Sequence, residues 1–436
     1  MKIKKFAALF LTAVMVLSLA ACGRPTGGNE VKDNTTDPAQ TPKDVVKIGV
    51  LLPMSGSTSY YGGVQLDGLK FCADYVNRNG GIKSLNGAEI ELVIQDSASS
   101  PETGISAFES LVSNEEICAI IGPYNSTVAA ATAPLAMQYE VPYVIINATA
   151  ENFMGSPNKW VYRTNTGSGD GENIYALAIE HLNNVRPDNP TDRVAIVYDS
   201  GDWGTAASAT WSGTAEEMGY TVVLNEAVSE SSTDLSTIVS KMKAEDVDLC
   251  ILATFSAATN LLVKQMNEYQ CGTKVLGLGG GVGDVDFIGN AGDAANGVLY
   301  LTSWLPKLGG GSEEAQTLAV EFAETYGYEM TMEPCWGWLG LASIVNAIEA
   351  AGSTEREAVA DALYVLDVDG DDWSCMFVDF DGVRFGTEGE TSDRFATGVR
   401  YNNNVESGER DGMVLAQVQD GKWVVVYPVG DCETDY

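Results

Sequence analysis

A single histidine, His181, stands in a chain of 436 residues, within the helical run Asn173 to Asn184. One imidazole is too few for a zinc site built on several histidines, and Ser-His or Cys-His catalysis would rest on that residue alone. Beyond Cys22 come Cys72, Cys118, Cys250, Cys271, Cys335, Cys375 and Cys432, an odd number without CxxC spacing. They read as small buried residues rather than a metal site or a disulfide framework, with Cys250–Cys271 and Cys72–Cys118 left open as pairs. Acidic groups gather at Asp284 with Asp286, and at Asp369, Asp371 and Asp372. Neither group has the further ligands calcium requires or an environment that would tune a carboxyl for acid–base work, and the second reads as a solvated turn. The segment Gly277-Leu278-Gly279-Gly280-Gly281-Val282-Gly283 follows a strand, but Val282 stands where a dinucleotide fingerprint needs its third glycine. Its expected role is close backbone approach or a turn. No P-loop, GxSxG, HExxH or EF-hand pattern occurs, so the common phosphate, acyl-transfer and metal signatures fail, and no catalytic residue, metal or cofactor is expected.

Charge and length narrow the partners. Sixty Asp and Glu face 25 Lys and Arg, for a formal net charge of −35, which argues against nucleic acid as a partner. With 45% hydrophobic residues, the chain can bury cores for about two or three domains.

The elements that must position any site alternate strand and helix. Val45 to Leu52 is a β-branched apolar run that ends at Pro53 and a Ser-Gly turn, and a helical period follows from Val64 to Asn77. The pattern recurs as Ile90 to Gln95 with Gly104 to Ser113, Ala119 to Ile121 with Val128 to Tyr139, and Tyr143 to Ile146. It then begins again with Val194 to Tyr198 and Thr205 to Met218, Thr221 to Ala227 and Leu235 to Lys243, Leu249 to Ala253 and Ala258 to Tyr269, and Lys274 to Leu278. Two α/β units, each a parallel sheet covered by helices on both faces, are predicted. Both units open alike, with Tyr61-Gly62 and Trp203-Gly204 each starting a helix beyond the carboxyl end of a first strand, the edge where open α/β sheets bind ligands. A strand over Val298 to Leu301 and helices over Glu313 to Tyr326, Cys335 to Ala351 and Glu355 to Leu363 follow. The chain then turns to hairpins around Asp381-Gly382 and Asp420-Gly421.

The first residues carry an address. Lys2, Lys4 and Lys5 precede an apolar run from Phe6 to Leu19 that is too short for an ordinary membrane span, then small residues. Residues 1–21 therefore read as a signal peptide. Leu19-Ala20-Ala21-Cys22 resembles a bacterial lipobox, which implies diacylation of Cys22 and a lipid anchor at the membrane. Residues 22–44, nearly devoid of apolar side chains, read as a disordered tether.

A further set of segments runs along the chain: Ser55-Gly56 with Tyr61-Gly62, Asn79-Gly80-Gly81-Ile82, Ile121-Gly122-Pro123 with Ser126 and Pro134, Val141-Pro142 with Ala148-Thr149-Ala150, Tyr162-Arg163-Thr164, and Val194 to Asp199 with Trp203-Gly204. In this order and spacing they resemble the leucine/isoleucine/valine-binding family of extracytoplasmic solute receptors that serve ABC importers. The resemblance implies the type I periplasmic-binding-protein fold, two doubly wound lobes joined by three crossings near Arg163, Val298 to Thr302 and Ser374 to Phe380. Lobe 1 is then 45–163 plus 298–374, and lobe 2 is 164–297 plus 375–436.

The same resemblance places a ligand carboxylate at Tyr124-Asn125-Ser126 and Asn147-Ala148-Thr149, with Tyr61 at the opening of the first lobe. Asn125 or Ser126 would also cap the helix running to Tyr139, whose N-terminus favours an anion. Trp203 and Phe255 would wall the ligand side chain, with Trp336 or Trp338 as additions that serve equally well as core. Where relatives that bind branched-chain amino acids offer a Glu to the ligand ammonium, this sequence aligns Gly279. Either Asp284 or Asp286 substitutes, or the ligand is an amide, an aromatic acid or another carboxylate. The expected function is capture of a small polar solute, most simply a branched-chain amino acid, and delivery to an ABC permease by lobe closure. A sensor that docks a receptor is the alternative.

Overall fold

A computed structural model describes residues 45–150, 152–154, 158–165, 179, 182–183, 191–302, 304–305, 312–378, 382–385, 399–400 and 414–427. The signal peptide, Cys22, the tether, His181 and Cys432 lie outside the described residues.

The first sheet grows from Val45–Leu52 (β1), buried without interruption from Ile48 onward. Glu89–Asp96 (β2) and Ile117–Ile121 (β3) pair with it in parallel on its two sides. Tyr143–Ile145 (β4) and Val161–Arg163 (β5) complete the parallel order β2-β1-β3-β4-β5. Successive side chains of a strand face opposite ways, and β1 shows the consequence. Ile48, Val50 and Leu52 enter one apolar cluster and Leu51 enters another, with Phe108, Val128 and Tyr143. Helices Ser59–Arg78 (α1), Pro101–Val112 (α2) and Ser126–Gln138 (α3) follow β1, β2 and β3.

The second sheet repeats the plan with Arg193–Asp199 (β6), Thr221–Val228 (β7), Leu249–Ala253 (β8), Lys274–Leu278 (β9) and Leu299–Thr302 (β10), all parallel. Asp202–Glu217 (α4), Ser236–Ala244 (α5) and Ser256–Glu268 (α6) follow β6, β7 and β8. Beyond β10 the sheet ends in an antiparallel hairpin of Val414–Gln419 and Lys422–Tyr427. Its two-residue turn, Asp420-Gly421, has φ of 50° and 74°, the double positive that the right-handed twist of a hairpin favours.

The expected lobe boundaries shift in two places. Leu299–Thr302 pairs with β9 on one side and the final hairpin on the other, so the chain leaves the second sheet after Thr302 rather than at 298. Cys375, Phe377, Val378, Val383 and Phe385 belong to the first lobe's core, with Met332–Ala351 (the long helix here called α9). Helices Phe287–Ala291 and Glu313–Tyr326 (α7 and α8) precede it in the chain, and Arg356–Tyr364 (α10) follows. Small strands Asp367–Asp369, Gly382–Arg384 and Val399–Arg400 form their own antiparallel sheet. Apolar burial thus keeps the 375–385 segment on the first lobe, and Val414–Gln419 belongs to the second sheet. The six described cysteines are free thiols, and all but Cys271 are buried.

Candidate functional site

In each sheet the winding reverses beside the first strand, between β1 and β3 and between β6 and β8, and crevices form at the carboxyl ends of strands there. Two glycines permit the approach that builds these ends. A Cβ on Gly62 would lie 2.1 Å from the Pro53 carbonyl oxygen, and one on Gly204 would lie 2.0 Å from that of Asp199. The repeated glycine is therefore a packing requirement of both helix starts. Between the two edges lies a cavity of about 110 Å³.

The first lobe supplies its polar wall. After β3 the chain turns through Gly122, at φ +122° and with the Leu51 oxygen 2.0 Å from where a Cβ would stand, and presents Tyr124, Asn125, Ser126 and Thr127 to the cavity. Asn125 is the residue before α3, yet its side chain does not cap the helix. Its Oδ1 accepts instead from Thr58 Oγ1 at 3.0 Å. Ser126 Oγ accepts from the Ala150 N–H at 3.3 Å, which ties the helix start to the neighbouring loop. The first N–H groups of a 13-residue helix are thus left without a side-chain cap beside the cavity, where the helix dipole favours an anion. Asn147 and Thr149 line the same wall, while Ala148 points into the core. Buried Arg163 donates to the Thr149 and Ala150 carbonyls, both at 3.2 Å, and so fixes this loop.

The second lobe supplies Trp203 and Phe255, with ring centroids 4.9 Å apart. The glycine segment lets the chain pass close to them. Gly279 and Gly280 line the cavity at φ +70° and +56°, and a Cβ on Gly280 would meet Trp203 at 2.8 Å. Asp199 and Asp202 also border the cavity. Burial pushes the Asp199 carboxyl up from its ordinary value, against N–H groups of Gly201 and Ser200 that pull it down.

Glu333, in the first turn of α9, is not among the residues the sequence points to. It is 3% exposed and lines the cavity. Its Oε2 accepts from Asn147 Nδ2 at 2.8 Å and from Gln65 Nε2 at 3.3 Å, and Asn165 Nδ2 donates to Asn147 Oδ1 at 2.7 Å. Burial pushes its carboxyl up to about 7, only partly offset by the two amides. Glycines set this contact too, because α1 and α9 meet where a Cβ on Gly68 would lie 2.2 Å from the Pro334 oxygen and one on Gly337 2.8 Å from that of Gln65. The sequence signal was Thr331 followed by Glu333-Pro334, a helix start with an acid and a proline in its first turn. The apolar period begins only at Cys335, whereas the helix begins at Met332 and so includes Glu333.

Of the residues expected at the site, Tyr124, Asn125, Ser126, Asn147, Thr149, Trp203, Phe255 and Gly279 meet at the cavity. Trp336 joins them, whereas Trp338 stays in the core and donates to the Trp373 carbonyl. Tyr61 and Asp284 lie outside the lining. Tyr61 stacks on Tyr124 at 4.7 Å, and its hydroxyl is 2.7 Å from Ser256 Oγ, which donates to Asp284 Oδ2 at 2.6 Å. Asp284 therefore anchors a contact between the lobes instead of facing a ligand, and Asp286 does not line the cavity either.

Two doubly wound lobes whose strand ends close on one cavity define a bilobal binding protein. The sequence pattern of the family described as "Periplasmic binding protein" matches residues 45–396, and the chain belongs to that family, whose setting is extracytoplasmic. A relative from Brucella abortus (strain 2308), "Leu/Ile/Val-binding protein homolog 8", is 26% identical over 396 residues, covering 88% of this chain and 90% of its own. The crystal structure of a leucine binding protein, LivK, from Thermotoga maritima has a TM-score of 0.71 at 22% identity, covering 88% of this chain and 99% of that one. A solute binding protein of an ABC transporter from R. palustris, in complex with benzoate, has a TM-score of 0.70 at 17% identity, covering 87% and 95%. The fold is that of the type I periplasmic binding proteins.

Proposed function

We propose that the protein captures an α-amino acid of the branched-chain kind outside the cytoplasm and delivers it to an ABC permease when the lobes close on it. The observation that carries this reading is the uncapped N-terminus of α3 facing an apolar wall of Trp203 and Phe255 across a small cavity. A carboxylate suits the helix end, and an aliphatic side chain suits the rings. No step of chemistry is needed, and binding is reversible. The leucine-binding and Leu/Ile/Val-binding names of the similar proteins point the same way. Cys22, as the acylated first residue after removal of 1–21, would hold the protein at the membrane through the 22–44 tether. No helix among the described residues is long and apolar enough to cross a membrane.

Thermal unfolding of the protein against leucine, isoleucine, valine, amides and benzoate tests the ligand class. A ligand at 100 times its Kd should add about 2.7 kcal/mol. Shifts confined to benzoate or amides would replace the amino acid by another small solute. Cys22→Ser should move the protein from the detergent to the aqueous phase on partition, and retention in detergent would refute the anchor.

A further inference from the structure

The cavity has an uneven charge. Among the described residues that line it there is no Lys, Arg or His, yet three carboxylates do so, Asp199, Asp202 and Glu333. Asp199 and Asp202 are only partly buried. Asp199 Oδ1 accepts from the Gly201 N–H at 2.8 Å, and Asp202 Oδ2 from Asn152 Nδ2 at 3.3 Å. Both carboxyls therefore keep solvent contact and a local donor. Glu333 is different. It is 3% exposed, its two donors are neutral amides that both reach Oε2, and among the described residues Oε1 has no hydrogen-bond partner. A buried carboxylate with half its acceptor capacity unused and no cation beside it is an unfinished site.

We infer that Glu333 receives the cationic nitrogen of the bound solute, so that both charged ends of the ligand are held by the first lobe. The inference rests on the amino-acid reading above and specifies it. The geometry fits a zwitterion: Asn147 donates to Glu333, and three residues further on the Ala150 N–H donates to Ser126 Oγ in the first turn of α3, so one short loop joins the uncapped helix end to the carboxylate. It also answers the substitution at Gly279. A carboxylate from the first lobe takes the place of one from the second, while Asp284 is occupied between the lobes by Ser256. The second lobe then reads the apolar side chain, and a solute can be charge-paired before closure.

The test uses paired ligands that differ by the amine: L-leucine with 4-methylpentanoate, and L-phenylalanine with 3-phenylpropanoate. Each is titrated calorimetrically into the full chain and its Glu333→Gln variant, with far-UV circular dichroism and thermal unfolding to establish that the variant is folded. The wild type should prefer the amine of at least one pair. Glu333→Gln should weaken that amino acid roughly 30-fold or more, the scale for losing one partner of a buried charge pair, and leave its amine-free partner within about threefold. Glu333→Asp, which keeps the charge but withdraws it, should fall between the two and serves if the Gln variant does not fold. An amine preference that survives in the folded variants would overturn the assignment while leaving amino-acid binding intact. Equal weakening of both members of a pair would also overturn it, since Glu333 would then act through the shape of the wall. A wild type that binds only the amine-free acids would sink the amino-acid reading itself, and Glu333 with it, a result visible without any variant.

Discussion

The two walls of the cavity are built by the same βα device and end up unlike. On the first lobe, Ser126, Asn147, Glu333 and Arg163 are bound to one another's loops through hydrogen bonds among buried or half-buried groups. On the second, Trp203 and Phe255 present rings, and the backbone beside them is glycine. Buried hydrogen bonds are directional and costly to leave unmade, so the first wall is fixed before a ligand arrives. Apolar burial against the rings is non-directional and suits a surface that arrives last. On the proposed binding mode this contrast gives recognition of the solute's charged ends to the first lobe and cover to the rings of the second, where Asp199 and Asp202 also border the cavity.

The strongest way to break this contrast is to damage the first wall at its root. Gly122→Ala places a Cβ against the Leu51 carbonyl in a backbone region that side chains rarely adopt, and should cost about 3 kcal/mol of stability. Denaturant unfolding and ligand titration should fall together, because the same turn carries Tyr124 to Thr127. Intact binding in a destabilised variant would separate the turn from the site.

Glu333 makes the first wall sensitive to pH. Its carboxyl is raised from 4.5 to about 7 in the folded state, so the folded protein holds that proton more tightly than the unfolded chain does. Stability without ligand should therefore be highest below about pH 4.5 as far as this group is concerned, fall as pH rises toward 7, and level off beyond, with about 3 kcal/mol at stake. Glu333→Gln should flatten this component. Urea midpoints between pH 5 and 8 measure it, and an equal slope in wild type and variant would place the titration elsewhere.

Smaller effects should divide by wall. Ser126→Ala leaves the Ala150 N–H without its acceptor and should cost about 1–2 kcal/mol of stability as well as affinity. Trp203→Ala removes a half-buried ring, so affinity should drop about 10-fold to 100-fold with a smaller change in unfolding midpoint. If Trp203→Ala destabilises as much as Ser126→Ala, the second wall is structural and the division of labour fails.

The first wall was only partly legible in the sequence, for a physical reason. Strands β3 and β8 are continuous apolar runs, β1 and β6 have apolar centres over Ile48–Leu52 and Val194–Val197, and the glycines at 62 and 204 repeat at equal places, so the sheets and their edges can be located. Tyr124 to Ser126 and Trp203 followed from the edges. Glu333 did not, because a buried acid far along the chain gives no periodic signal, and its setting is made by close approach of two helices through Gly68 and Gly337. Asp284 misled in the opposite way. A carboxylate after a glycine turn looked available, but tertiary contact with Ser256 had already engaged it. The boundary at 375 failed similarly, since Phe377 and Phe385 are apolar residues whose partner lobe only packing decides.

The contact between lobes offers the finest test. Ser256 Oγ donates to Asp284 Oδ2, so the 2.7 Å contact with Tyr61 must have the tyrosine as donor. Burial holds the Tyr61 hydroxyl well above its ordinary range, which keeps that donor protonated at any working pH. Tyr61→Phe deletes this one hydrogen bond and keeps the ring stacked on Tyr124, so the closed form should lose about 1 kcal/mol and apparent ligand affinity should fall up to about 10-fold. Ser256→Ala removes more, stranding both the Tyr61 hydroxyl and an oxygen of Asp284, and should weaken binding further than Tyr61→Phe does. Scattering measurements of the radius of gyration with and without ligand would show whether the loss lies in closure. An order reversed between the two variants would mean that the ring, and not the hydroxyl relay to Asp284, holds the lobes together.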